Sequence, residues 1–433
     1  MARKRLPLFV DVAIVGLDEQ GRGIGEVQGR RVRVKNALPG ERVKARVLKR
    51  QRREWLAETA LVLMPSSRRK AAPCATFPRC GGCAIQHLAE TDQLRHKQRL
   101  LLDALQTQGV EPVLVRRPVT GPLYGYRTKA RLGVRVVNDE PLIGFRETAS
   151  NRVVRMDTCL TLAPSLARLL GPLKSLVAAL SVKARIPQIE VAAGDVEQAI
   201  ILRHLDPLSI IDHQTLAVFG EVHQVKVLTQ SRRYDDLQLV SPPGGSPLLN
   251  YSVPQYGLCF EFHPVDFTQV NLAMNRRLVA DTMAALEPVE NRCVGDLFCG
   301  IGNFSLALAR LGAKVVGLEG SAIAVERATI NARVNGVAER CEFHVQDLYD
   351  FDRPIVLSAQ SLLVDPPRTG MGQHVLRSIQ KGVMKVVYVS CNPATFAADA
   401  DRLGELGFSL TEVGVYDMFP NTTHVETLGV FQR

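Results

Sequence analysis

The sequence predicts an α/β protein that ends in a Rossmann-like, doubly wound parallel sheet, with a small β-barrel at its start and a mixed α/β segment between. Three observations carry this. From Asp266 onward, helix, strand, glycine loop, helix, strand and helix follow one another regularly, the pattern of a parallel sheet covered by helices on both faces. From Phe9 to Leu63 the pattern is instead short alternating stretches punctuated by Gly21, Gly23, Gly25 and Gly29, as in a small twisted barrel. A chain of 433 residues, 46% of them apolar, is long enough for two or three separate cores.

In the barrel segment, Arg31-Val-Arg-Val-Lys35 and Val43-Lys-Ala-Arg-Val47 alternate cations with apolar residues, so one face packs inward and the other presents positive charge. Residues 1–70 hold 18 Lys and Arg against 7 Asp and Glu, which leaves 36 of each sign in the remainder. All of the net charge of +11 therefore sits on this module, an electrostatic handle for a polyanion such as nucleic acid. The run Gly21-Arg-Gly-Ile-Gly-Glu26 followed by Asn36-Ala-Leu-Pro-Gly-Glu41 resembles the TRAM domain, an OB-like accessory barrel of RNA-modifying enzymes. No apolar run approaches the roughly 18–20 residues of a membrane span. Met1-Ala-Arg-Lys-Arg5 leads into no signal-peptide core, so a soluble, cytoplasmic protein is expected, and its nine cysteines are expected to be reduced.

Pro65-Ser-Ser-Arg-Arg-Lys70 reads as a linker. Cys74, Cys80 and Cys83 then follow a C-x5-C-x2-C pattern with Gly81-Gly82 between the last two. Three thiolates leave one coordination position, for which Cys159 is the candidate. Four cysteines complete either a zinc or a cubane iron–sulfur site, and this spacing does not separate the two. Leu94, Leu100, Leu101 and Leu105 mark an amphipathic helix over 91–108. Residues 120–260 alternate β-like stretches, at 130–136, 190–192 and 199–202, with a leucine-rich helical stretch at 161–181. Tyr124-Gly-Tyr-Arg-Thr-Lys-Ala-Arg131 mixes aromatics with cations, a composition suited to RNA.

Val294-Gly-Asp-Leu-Phe-Cys-Gly-Ile-Gly-Asn303 places Gly300 and Gly302 after a strand and before a helix over 304–311, where backbone can approach a ligand at a helix N-terminus. The next strand, Lys314–Leu318, ends in Glu319, placed as an acid that meets ribose hydroxyls. This loop resembles the cofactor loop of class I S-adenosylmethionine methyltransferases, which implies Glu319 as the ribose acid and Asp347 near the adenine. Two further strands end in Asp365-Pro-Pro-Arg368 and Ser390-Cys-Asn-Pro393. Ligands of open α/β sheets lie beyond the carboxyl ends of the strands, so Asp365 and Cys391 are expected at the same crevice, with Cys391 a candidate nucleophile. Uracil shows why methylation needs one. Its carbon 5 becomes nucleophilic enough to take a sulfonium methyl only after a thiolate has added to carbon 6, and a base must then remove the carbon-5 proton. Glu426, at the start of the strand Val425–Val430 and beside the sheet's edge, is the candidate base.

Asp266-Phe-Thr-Gln-Val-Asn271, Asp365-Pro-Pro-Arg368, Ser390-Cys-Asn-Pro393 and Met418-Phe-Pro-Asn-Thr-Thr-His-Val-Glu426 together resemble the RNA uracil-C5 methyltransferase family over essentially the whole chain. The resemblance implies Cys391 as nucleophile and Glu426 as base. It implies a cofactor site lined by Gln269, Phe298, Gly300, Asn303, Glu319, Asp347 and Asp365, the family often having Asn at position 347. It also implies a [4Fe-4S] cluster on Cys74, Cys80, Cys83 and Cys159, since the ribosomal branch carries one on such a pattern and the transfer-RNA branch lacks the cysteines. The implied parts are a TRAM barrel over 1–66, a central RNA-binding domain over 67–90 and 118–262, and a methyltransferase domain over 91–117 and 263–433. Barrel and cluster together point to 23S ribosomal RNA, with no membrane and no obligate protein partner implied. The rivals are a transfer-RNA uracil methyltransferase and a non-catalytic iron–sulfur RNA-binding protein.

Overall fold

The computed structural model describes residues 8–51, 53–231, 236–355 and 357–433. They fall into two compact units: those up to residue 100 with 146–152 and 419–424, and those of 101–145 with 153–418 and 425–433. This division runs along different lines from the three parts read from the sequence. The barrel and the three clustered cysteines share the first unit, and the central α/β segment shares the second with the C-terminal sheet.

In the first unit, strands Phe9–Leu17, Gly23–Val27, Arg30–Lys35, Arg42–Arg50 and Glu54–Met64 close into a barrel in the order first, second, third, fifth, fourth. Val12, Ile14, Val32, Val34, Val43, Ala45 and Ala57 fill it, while Arg31, Arg42, Lys44 and Arg46 are exposed, as the period-2 alternation requires. Two carboxylates fasten the barrel from within. Buried Asp18 accepts from the backbone N–H groups of Gln20 and Arg22 at 2.9 and 2.8 Å and pairs with the Arg22 guanidinium at 2.7 Å. Buried Glu41 binds the Leu38 N–H at 2.8 Å and the Arg69 guanidinium at 2.5 and 2.8 Å, and these hydrogen bonds outweigh burial and lower its pKa. Residues 65–70 are therefore not a free linker. A buried carboxylate needs a cation, and Arg69 in that stretch supplies it.

In the second unit a six-stranded sheet runs in the order Gln238–Ser241, Lys226–Gln230, Gln198–Arg203, Gln188–Ala193, Lys129–Val137, Glu140–Gly144. An eight-stranded sheet runs Cys341–Val345, Lys314–Glu319, Cys293–Leu297, Ser361–Val364, Lys385–Ser390, Glu426–Gln432, Ser409–Tyr416, Leu114–Val115. Its first five strands are parallel. Glu426–Gln432 enters antiparallel to both of its neighbours. Ser361–Val364 is buried throughout, as is all of Lys385–Ser390 after its first residue, which explains their unbroken apolar runs. Chain order reverses at Cys293–Leu297, which has Lys314–Glu319 on one side and Ser361–Val364 on the other. That reversal opens a crevice at the carboxyl ends. Among the described residues, no helix is long and apolar enough to cross a membrane.

Candidate active site

The crevice is built by three loops of the second unit that follow parallel strands. The first, Phe298–Asn303, turns through left-handed backbone at Phe298 (φ 65°), Gly300 (φ 54°) and Gly302 (φ 88°). A side chain on Gly302 would lie 2.6 Å from Leu306 Cδ1, whereas one on Gly300 would meet nothing within 4 Å. The loop is thus packed from below and open from above, where a ligand can lie against bare backbone. Gly300 N–H donates to Glu319 Oε2 at 3.2 Å and Ser321 N–H to Glu319 Oε1 at 2.9 Å, so the strand-end acid is held beside the loop. Asn303 exchanges hydrogen bonds with Asn275 at 2.9 and 3.0 Å and accepts one from the Tyr251 hydroxyl at 2.9 Å. Phe298 lies 5.7 Å from Tyr349, and exposed Asp347 accepts the Tyr349 N–H at 2.9 Å. Gln269 is half-buried in the segment after Asp266, whose backbone carbonyl binds Lys129 Nζ. Burial lowers that lysine to about 8. The Tyr124–Arg131 segment therefore turns part of itself inward: Tyr126 is buried, Arg127 stacks on Phe145, and exposed Arg131 pairs with Glu190.

The other two loops carry Asp365 and Cys391. The Asn392 amide donates to Arg368 O at 2.9 Å and Thr395 Oγ1 to the same carbonyl at 3.2 Å, which ties Asp365-Pro-Pro-Arg368 to Ser390-Cys-Asn392. Asn392 caps the helix Pro393–Glu405, so Cys391 sits just before a helix N-terminus, where partial positive charge favours a thiolate. Ser390 pairs with Thr427 across the antiparallel ladder. One residue further on each chain brings Cys391 to Glu426. The Glu426 strand is flanked on both sides within the sheet rather than lying at its edge, because Ser409–Tyr416 pairs along its outer side. That burial matters: Glu426 is 2% exposed.

Electrostatics separate these groups from ordinary ones. Burial, and then the charge of Asp365, raise Glu426 to about 8, with Arg368 opposing. Burial, and then Asp296, raise Asp365 to about 8. Asp296 lies beneath the glycine loop against the Ser305 hydroxyl and is itself raised by burial to about 7. Burial and Glu426 push the Cys391 thiol up, but Arg368 opposes them through both its charge and a hydrogen bond. Buried Cys299 and half-buried Cys341 are also raised, with no cation opposing. Cys391 is thus a thiol set beside a guanidinium, next to a carboxyl able to hold or take a proton near neutral pH. The sequence motifs contained Arg368 but gave no sign of its role. Asn275 and Tyr251 had no local signal at all.

In the first unit, Gly82 N–H donates to Cys80 Sγ at 3.4 Å and Cys74 Sγ lies 3.2 Å from Thr76 Oγ1. In the second, Cys159 Sγ lies 3.3 Å from Thr161 Oγ1. Among the described residues, none of the four cysteines forms a disulfide. Among the described residues, no three His, Cys, Asp or Glu side chains come together as a metal-holding group, so the four-thiolate set expected from the sequence is not gathered here.

Fold and site define a class I-type methyltransferase unit with a cysteine and a carboxylic acid at its crevice, accompanied by a nucleic-acid-binding type of barrel. Residues 9–58 match the TRAM domain family, and residues 250–433 match the tRNA (Uracil-5-)-methyltransferase family. The chain is 41% identical to the 23S rRNA (uracil(1939)-C(5))-methyltransferase RlmD of Hahella chejuensis, over 100% of this chain and 99% of that protein. It is 44% identical to the RlmD of Acidithiobacillus ferrooxidans over 98% and 97%. Among solved structures, the tRNA (uracil-54, C5)-methyltransferase of Pyrococcus abyssi, in complex with S-adenosyl-L-homocysteine, superimposes with a TM-score of 0.76 at 23% identity. That match covers 98% of this chain and 100% of the other. The protein belongs to the RlmD family of 23S rRNA uracil-C5 methyltransferases.

Proposed function

We propose that the protein methylates carbon 5 of a uracil in 23S ribosomal RNA, at the position corresponding to uracil 1939, with S-adenosylmethionine as methyl donor. The observation that carries the reading is the meeting of Cys391, Glu426, Asp365 and Arg368 beside the glycine loop, in a chain about 40% identical over its full length to enzymes named for that reaction. The cofactor supplies an electrophilic methyl. Gln269, Phe298, Gly300, Asn303, Glu319, Asp347 and Asp365 are the residues that hold it. The open face over Gly300 and the anchoring of Glu319 and Asn303 fit a ligand with ribose hydroxyls lying along the loop.

The target base must leave its stack to reach Cys391. Cys391 Sγ, as thiolate, forms a bond to carbon 6, and the electron pair of the carbon 5–carbon 6 double bond moves into the enolate. Carbon 5 would then take the methyl as its bond to the sulfonium sulfur breaks, leaving S-adenosylhomocysteine. Glu426 removes the carbon-5 proton, the double bond re-forms, and the Cys391 thiolate leaves. Arg368 favours the thiolate at both ends of this cycle. A base near 8 accepts a carbon proton better than an ordinary carboxylate does.

The cluster cysteines belong to the same proposal at a finer level. The C-x5-C-x2-C spacing, with Cys159 as fourth ligand, is what supports a [4Fe-4S] cluster on Cys74, Cys80, Cys83 and Cys159. Its place is structural, since methyl transfer involves no redox step. Anaerobically purified protein should contain iron and acid-labile sulfide, both lost in Cys74→Ser. Metal-free wild-type protein would remove this element.

The reaction is tested by adding the protein and cofactor to unmodified 23S rRNA or transfer RNA, each tritiated at uracil carbon 5, and counting tritium released to water. Release from ribosomal RNA, abolished in Cys391→Ala, is expected. Release from transfer RNA alone would keep the chemistry and overturn the target, and release from neither would leave a binding protein.

A further inference from the structure

The first unit contains an open cleft of about 580 Å³ whose lining includes Asn36, Ser66, Arg69, Lys70, Phe77 and His87. None of these residues belongs to the unit that holds Cys391, and nothing in the methylation chemistry uses them. His87 is 2% exposed, yet among the described residues neither of its ring nitrogens has a hydrogen-bond partner. Asn36 Oδ1 is likewise buried and without a partner. Buried polar groups are nearly always satisfied, and each one left unmade costs on the order of 1–3 kcal/mol. Three such atoms on one cleft mark a place shaped for something that supplies the missing bonds.

The chemistry of the walls narrows what that is. The half-buried Phe77 ring lies 5.2 Å from His87 at a 35° tilt, an aromatic face of the kind on which a base stacks. Burial and the Arg69 charge keep His87 neutral near pH 7, so its ring offers one donor and one acceptor, which suits a base edge. Lys70 Nζ, 3.2 Å from the exposed carboxylate of Glu90, supplies the rim with a cation for a phosphate. The Arg69 guanidinium is committed to buried Glu41 and acts as a fixed wall. The cleft is several times the volume of a water molecule (~30 Å³), and one of its walls, from Asn36 to Lys70, belongs to the segment that carries the whole net charge of the chain.

We propose that this cleft binds one unpaired nucleotide of the RNA, its base against Phe77 and His87 and its phosphate at Lys70, as a gripping site separate from the one at Cys391. The proposal rests on RNA as the substrate but not on the methylation reaction, and its test is kept apart from that reaction. The full-length, anaerobically purified protein is irradiated with a ten-residue single-stranded oligoribonucleotide carrying 4-thiouridine, and adducts are mapped by mass spectrometry. Its affinity for the same strand is measured by fluorescence anisotropy in the wild type, His87→Leu and Lys70→Ala. Adducts within residues 70–88, with affinity about tenfold lower in His87→Leu and threefold lower in Lys70→Ala, are expected. Tritium release at saturating 23S rRNA should be unchanged in both variants. Lys70 is at the rim, so Lys70→Ala reports even if His87→Leu disturbs the local packing. Adducts confined to other segments, or affinities within twofold of wild type in both variants, would overturn the proposal. Loss of methylation in the wild type with cross-linking retained would overturn the reaction and leave the cleft standing.

Discussion

Glu426→Gln should stabilise the protein at alkaline pH while removing its activity. Glu426 is 2% exposed, and burial reinforced by Asp365 raises its carboxyl from 4.5 to about 8. In the unfolded chain the same group ionises at its ordinary value, ~4.3. Between those two values the folded state keeps a proton that the unfolded state has lost, so stability falls as pH rises, and the full cost is present only above about 8. Each unit of displacement is worth about 1.4 kcal/mol, which sets an upper bound of about 5 kcal/mol near pH 9. Asp365, also near 8, loses its proton over the same range, so the two titrate as a pair. Glutamine keeps the shape and cannot ionise. The assay is urea unfolding of wild type and Glu426→Gln at pH 5 and pH 8.5, followed by far-UV circular dichroism, since the single tryptophan, Trp55, lies in the barrel. The variant should lie within about 1 kcal/mol of the wild type at pH 5 and exceed it by at least ~2 kcal/mol more at pH 8.5. An equal difference at both pH values, or a less stable variant at pH 8.5, would show that the carboxylate is already compensated and that the argument from burial is wrong.

Other expectations follow from the same geometry. With Glu426 as the proposed base, Glu426→Gln should trap methylated RNA on Cys391 as a slowly migrating band on denaturing gels; free RNA only would count against that assignment. The proposed cycle uses Glu426 ionised and Cys391 as a thiolate, so the initial rate of tritium release should climb as pH rises through about 8, and a rate flat from pH 6.5 to 9 would remove one of the two assignments. In Gly302→Ala, left-handed backbone and a 2.6 Å approach to Leu306 Cδ1 should cost about 1–3 kcal/mol of stability and weaken S-adenosylmethionine binding at least tenfold by calorimetry; wild-type affinity would mean the loop does not hold the cofactor.

Much of this site is legible without coordinates because its signals are local. Gly300 and Gly302 announce a turn that most side chains cannot make. Asp365 and Cys391 each follow a short apolar run, and a run of that kind in a parallel sheet ends at the ligand-binding rim. The alternation of valine and cation in 31–47 states which face of the barrel is wet before any strand is paired. These features depend on residues within a few positions of one another, so composition and spacing suffice for them.

What the tertiary structure decides is everything that depends on partners distant in sequence. The Ser390–Thr427 register brings Glu426 to Cys391, and the flanking strand Ser409–Tyr416 turns an expected edge into an interior position, so an ordinary carboxyl becomes one near 8. Asn303 finds Asn275 and Tyr251, Arg69 finds Glu41, and His87 is left with two unmade hydrogen bonds. The sequence by itself determined which residues are candidates for reactive chemistry and which loops present them. Proton affinity and position came from folding, because both are set by the water that packing removes and by the charges that packing brings near.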